Sequence, residues 1–202
     1  MKIRLTQGEL KRQRDSLRQY ERYLPTLQLK KQQLQLEILH QQRSRTEREN
    51  SLAAWEETAK EWLGLLIEAP EIGQWIVPER IIATRKNIAG VDVPVFIRVD
   101  FVPAEYDLFT TPLWVDTALE RLKERVSLGE ELSILEQGIN ILRHELRITT
   151  QRVNLFEKIK IPEAKEAIRV IKIAMGDRMT SAVGRSKIAK NKVEEEHREV
   201  AV

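Results

Sequence analysis

The sequence predicts a mainly α protein. Its N- and C-terminal helices form a long antiparallel two-helix coiled coil, and a small central module between them contains a β-hairpin. Three observations predict it. From Leu132 to Phe156, apolar residues recur at alternating steps of three and four: Leu132, Leu135, Ile139, Leu142, Leu146, Val153 and Phe156, interrupted only by Thr149. A helix turns about 100° per residue, so this spacing draws a narrow stripe, a coiled-coil seam that needs a partner helix. A matching seam lies near the N-terminus. Between the two, the chain turns rich in β-branched residues. Composition agrees with a rod whose surface is mostly wet: 32% of the 202 residues are charged, and only 8 Gly and 7 Pro are present.

The first helix carries Ile3, Leu10, Leu17, Leu24, Lys31 and Ile38, each seven apart, with Tyr20, Leu27, Leu34 and Gln41 as the companion row. Arg45 and Arg48 occupy the next seam positions before Leu52 and Trp55 restore it; such polar residues either fix the register at some cost in stability or mark where the helices part, and parting is the favoured reading. Pro25 removes one backbone donor and predicts a kink near Tyr20 to Leu24. RQRDSLR and QLKKQQLQLEILHQQ read as solvated helix faces. The helix is expected to end around Glu68 to Pro70, which gives an N-terminal coiled-coil segment over 1–68.

The central module is placed at 69–111. There RIIATRKNI, the pair Ala89-Gly90 and VDVPVFIRVDF spell a β-hairpin over about 80–102. Pro94 marks an edge or a bulge in the second strand. A lone hairpin is marginal in water and must pack on something. Trp55, Trp62, Trp75 and Trp114 are the expected cover, as core residues. Thr111-Pro112 reads as a helix start, with Thr111 as N-cap.

The C-terminal coiled-coil helix is expected over 112–184. At Ile161-Pro162 the apolar pattern slips by one residue and resumes as Ile161, Ala164, Ile168, Ile171 and Met175, which predicts a proline-associated kink with a change of register. Gly176 and Gly184 weaken the helix beyond, and residues 185–202 read as a charged, mobile tail. At about 1.5 Å per residue, each arm would extend on the order of 80–100 Å.

Chemistry is sparse. The chain has no cysteine, which excludes disulfides, thiol catalysis and Cys-ligated metal. G-x-x-x-x-G-K-S/T and G-x-G-x-x-G are both missing. His40, His144 and His197 are far apart and read as surface residues. Carboxylates alternate with cations, as in ERLKER, and solvate helix faces. No enzyme activity, cofactor or metal is expected. No apolar run approaches the roughly 20 residues that span a bilayer. A net charge of +3 permits an anionic partner without demanding one. The cluster Arg185, Lys187, Lys190 and Lys192 could meet phosphate, lipid headgroups or an acidic protein surface, or could simply be a solvated helix end.

The stretch TQRVNLFEKIKIPEAKEAIRVI resembles the signature of the D-subunit of the V-type/A-type rotary ATPases, through Arg152, Val153, Asn154, Glu157, Ile161, Pro162, Ile168 and Ile171. NIAGVDVPVF, with Asn87, Gly90, Val91 and Pro94, is similar to that family's middle region. Leu17, Glu21, Arg22, Leu27, Lys30 and Leu34 match more thinly. Tyr23 stands where the family usually has glycine, and Pro25 where it has no proline.

The resemblance implies a non-catalytic central-stalk rotor subunit. It would couple ATP synthesis or hydrolysis in a hexameric head to proton or sodium transport across a membrane by rotation. Implied partners are the catalytic and non-catalytic head subunits, a small stalk companion and a rotor-ring adaptor. Neither nucleotide nor nucleic acid would be bound directly. The chain would be cytoplasmic and peripheral to the membrane through its complex. Arg152, Asn154, Glu157, Arg185, Lys187, Lys190 and Lys192 become candidates for facing the head. Asn87, Gly90, Val91 and Pro94 become candidates for a companion-docking or regulatory hairpin. A static coiled-coil scaffold is the alternative from the same seams. A nucleic-acid-binding helical arm is disfavoured, because the cations are not gathered into a stripe with interleaved aromatics.

Overall fold

The computed structural model describes residues 4–68, 70–107 and 109–200, with side chains except at 70 and 195–200. Ile3 and the side chains of Glu195, Glu196 and His197 therefore lie outside the described residues. So do residue 69 and the end of the expected tail, 201–202.

Helix α1 runs from Gln7 to Ala59, and two short 3-10 turns follow it. Strands β1 (Pro78–Ile88) and β2 (Val91–Phe101) form the hairpin. Helix α2 covers Trp114–Leu155, a π-turn covers Phe156–Lys160, and helix α3 covers Ile161–Val200. The chain folds into two compact units, one of residues 1–29 with 150–202 and the other of residues 30–149.

In the first unit α1 pairs antiparallel with the end of α2 and with α3. Glu21 bonds Lys165 at 3.4 Å, and the Arg178 guanidinium donates to the Leu5 carbonyl at 2.7 Å. Leu10 is buried on one side and Val153, Ala164, Ala167 and Ile171 on the other. Pro25 lies inside α1, which is helical on both sides of it. The register slip at Ile161 has a structural cause. In the π-turn the Ile161 N–H donates to the Phe156 carbonyl, five residues back, so one extra residue fits into the turn. Pro162 has no N–H to offer an α-type bond at this point. The extra residue rotates the following stripe by about 100°, and Ala164 and Ile171 land on the same seam as Val153. Gly176 and Gly184 leave α3 unbroken.

In the second unit α1 pairs antiparallel with α2 through Leu34, Ile38, Ile139 and Leu142, all buried. Thr149, the polar interruption in the second seam, is buried as well, in the position the heptad assigns it. Arg45 and Arg48 do not mark a parting of the helices. Arg45 bonds Glu136 at 3.3 Å and Arg48 bonds Glu131 at 2.9 Å, so the two arginines bridge α1 to α2. Lys30 with Glu145 at 2.7 Å extends the same ladder.

α1 stops at Ala59, before the expected Glu68 to Pro70. The chain then covers the start of α2, where Ile72, Val115, Ala118 and Leu119 form a small core. Trp62, Trp75 and Trp114 pack around it as core residues, and Trp55 meets Trp62 edge-on at 5.9 Å. They cover the start of α2, while the hairpin tip is seated elsewhere. Thr111 does not cap α2, which begins at Trp114. Its hydroxyl donates to the Asp107 carbonyl at 2.8 Å and so tightens the loop before the helix.

Candidate functional site

The hairpin turns through Ala89 (φ 51°) and Gly90 (φ 78°), both left-handed, as a two-residue type I′ turn requires. Glycine accepts that backbone freely, whereas Ala89 adopts it at a cost. Side chains brace the turn. The Gly90 N–H donates to Asn87 Oδ1 at 3.1 Å, and Asn87 Nδ2 donates to Asp92 Oδ1 at 2.7 Å. Below the tip the strands pair antiparallel, Asn87 opposite Asp92 and Ile88 opposite Val91. The ladder slips between Ile82 and Ala83, where Ile97 is the extra residue of β2.

The tip rests on the α1/α2 seam. Val93 is fully buried against Leu34, Ile38 and Leu142, with Ile88, Ala89, Val91 and Leu146 around them. Gly138 permits the approach. A Cβ at that position would lie 2.8 Å from Val93 Cγ1, too close to fit without a shift, and 3.1 Å from Gln41 Oε1, a tight contact. Gln41 is itself buried. Its amide nitrogen donates to Glu37 Oε1 at 3.3 Å, but its oxygen has no hydrogen-bond partner. At the root, Val102 N–H donates to the Val77 carbonyl at 3.0 Å, and Lys123 lies 5.8 Å from the Phe101 ring centre.

Beside the seat an open apolar groove of about 570 Å³ is lined by Gln32, Gln35, Leu36, Ile38, Leu39 and Leu146. Leu36 and Leu39, 68% and 54% exposed, are its most open apolar residues.

The other expected site residues fall into two places. Arg152 and Asn154 are exposed near the end of α2, and Glu157 is exposed in the π-turn. Arg185, Lys187, Lys190 and Lys192 are all exposed on α3, with Lys190 3.6 Å from Glu194. The hairpin residues Asn87, Gly90, Val91 and Pro94 share one tip. Sequence reasoning missed Gly138, although a glycine in the middle of a strong helical run costs about 1 kcal/mol and calls for a packing reason.

His40 and His144 are exposed, and no group of three His, Asp or Glu side chains converges as a metal site among the described residues. No described helix is long and apolar enough to cross a membrane. Among the described residues two side-chain pairs shift ionisation. The Asp116 carboxylate, accepting a hydrogen bond from the Tyr106 hydroxyl, holds that phenol above its ordinary value. Arg169, donating twice to Glu166, holds that carboxyl below its ordinary value.

Paired antiparallel helices carrying a seated β-hairpin define a coiled-coil protein whose distinctive features are contact surfaces. The pattern of the ATP synthase D-subunit family matches residues 9–191. The V-type ATP synthase D-subunit of Borreliella burgdorferi is 43% identical over 197 residues, which is 98% of each chain. That of Chlamydia muridarum is 34% identical over 203 residues, again 98% of each. That of Chlamydia pneumoniae is 33% identical over 197 residues, 96% of this chain and 94% of its own. The chain belongs to the ATP synthase D-subunit family.

Proposed function

We propose that the chain is the central-stalk rotor subunit of a V-type/A-type ATP synthase or ATPase. It couples ATP synthesis or hydrolysis in the catalytic head to proton or sodium movement across a membrane, and catalyses nothing itself. Family membership over nearly the whole chain carries this reading. The physical structure supports it. A subunit that transmits torque must resist twisting, and buried seams with cross-helix ion pairs supply that stiffness in each unit. The exposed cations Arg185, Lys187, Lys190 and Lys192 face acidic surfaces of the head, joined by Arg152, Asn154 and Glu157. Such contacts stay forgiving because exposed charges interact weakly and at a distance. The hairpin, with Asn87, Gly90, Val91 and Pro94, docks the small companion subunit, and the apolar groove of Leu36 and Leu39 beside it supports that placement. The rotor-ring adaptor is the remaining partner, and through it the chain sits on the cytoplasmic side, peripheral to the membrane.

The test is affinity recovery of the tagged chain from mildly solubilised native membranes, followed by mass spectrometry. Head, companion and rotor-ring subunits in stoichiometric amounts are expected. Recovery of none of them, from an extract that holds the intact complex, would leave a static coiled-coil adaptor as the reading.

A further inference from the structure

We infer that the hairpin tip is a clasp with a seated and a released position, and that the buried Gln41 carbonyl holds the seated position close to release. The inference concerns the chain alone and stands apart from the rotary role.

The tip moves as one piece because its own bonds brace it, Asn87 to Asp92 and Gly90 to Asn87. It holds the helices through a few apolar side chains, Val93 fully buried and Ile88, Ala89 and Val91 partly so. β1 is exposed along almost its whole length, and only Val93 and Val99 of β2 are buried. Val99 and Phe101 belong to the root, which stays anchored. Between root and tip the ladder is already broken at Ile97, where a bulge lets the strand pair bend. Lifting the tip about this bulge withdraws Val93 from Leu34, Ile38 and Leu142.

Seating has an opposing term at its centre. Gln41 shares the tight spot of the seat, since a Cβ on Gly138 would meet both Val93 Cγ1 and Gln41 Oε1, and that oxygen is buried with no donor. Release restores water to that oxygen. An apolar side chain of the same length would gain nothing by release. Replacing Gln41 by methionine therefore lowers the released population by roughly 5- to 100-fold, the span that an unmet buried acceptor allows. Glu37, which accepts from the Gln41 amide nitrogen, is partly exposed and returns to water in the variant.

The cysteine-free chain allows a direct measurement by thiol labelling of single-cysteine variants. Val93→Cys reports the clasp, and Thr84→Cys, exposed on β1, sets the free rate. Ile139→Cys, buried in the seam outside the seat, reports parting of the helices. Val93→Cys is expected to react more slowly than Thr84→Cys and clearly faster than Ile139→Cys. Adding Gln41→Met should slow Val93→Cys at least about fivefold and leave Ile139→Cys unchanged. Equal rates at Val93 and Ile139 would overturn the clasp. So would an unchanged Val93 rate in the methionine background, or an equal slowing at both sites. If Val93→Cys fails to fold, amide exchange over residues 91–95 with and without Gln41→Met reads the same two populations.

Discussion

The ring of Tyr20 on α1 stacks on that of Phe156, the first residue of the π-turn, with centroids 5.3 Å apart and planes tilted by 35°. The contact falls where the helical register changes, and it ties the extra residue of the turn to the opposite helix. Both rings are half-buried. Phe156→Ala should cost about 1–3 kcal/mol, less than a fully buried phenylalanine. In a double-mutant cycle with Tyr20→Ala, urea unfolding should give a coupling of about 0.5–1.5 kcal/mol. A coupling of zero would mean the rings merely adjoin.

The π-turn exists because the chain carries one residue more than an α-helix would need there. Deleting Lys158 removes that residue, and Pro162→Ala supplies the missing N–H. The combined variant should form a continuous α-helix, keep Ala164 and Ile171 on the seam, and match or exceed the parent in thermal stability. Inserting one alanine after Lys158 should instead turn the downstream stripe by about 100° and unpair it. Amide exchange at Ile171 distinguishes the two, protected in the deletion and fast in the insertion.

Much of this fold is legible in the residues alone, for a physical reason. Heptad rows and a strand–turn–strand pattern are local, so Leu10 to Gln41, Leu132 to Phe156 and the Ala89-Gly90 turn announce themselves within a few residues. The slip at Ile161 is legible too, as a change of phase, though not as a π-turn. Contacts between distant segments are not. Arg45 and Arg48 look like seam defects because their partners, Glu136 and Glu131, lie on another helix. The seat of the hairpin is hidden for the same reason. Gly138 and Gln41 gain meaning only once Val93 lies over them. No local pattern predicts which helix face a hairpin will choose.

The Tyr106–Asp116 bond gives a pH dependence of definite sign. Asp116 accepts from the neutral phenol, so the folded Tyr106 loses its proton at higher pH than the unfolded residue does. Its stabilising contribution is complete below the unfolded value near pH 10 and disappears as pH rises through the folded one. Tyr106→Phe should therefore lower the urea midpoint at neutral pH and flatten its decline above roughly pH 10. Parallel declines for parent and variant would remove this bond as the cause.

Arg185, Lys187, Lys190 and Lys192 are exposed on a stretch of α3 with no seam residue among them, so replacing all four with alanine should leave the helix intact. Alanine is the strongest helix former, and the ion pair lost among the described side chains, Lys190 with Glu194, is well solvated. In the reconstituted complex the same variant should lower ion transport per ATP severalfold, since each exposed contact contributes up to about 1 kcal/mol. Added salt should reduce the parent's coupling towards that of the variant, because surface charges are screened within about 10 Å at 0.1 M. Unchanged coupling with unchanged helicity would take these cations out of the contact with the head and leave Arg152, Asn154 and Glu157 to make it.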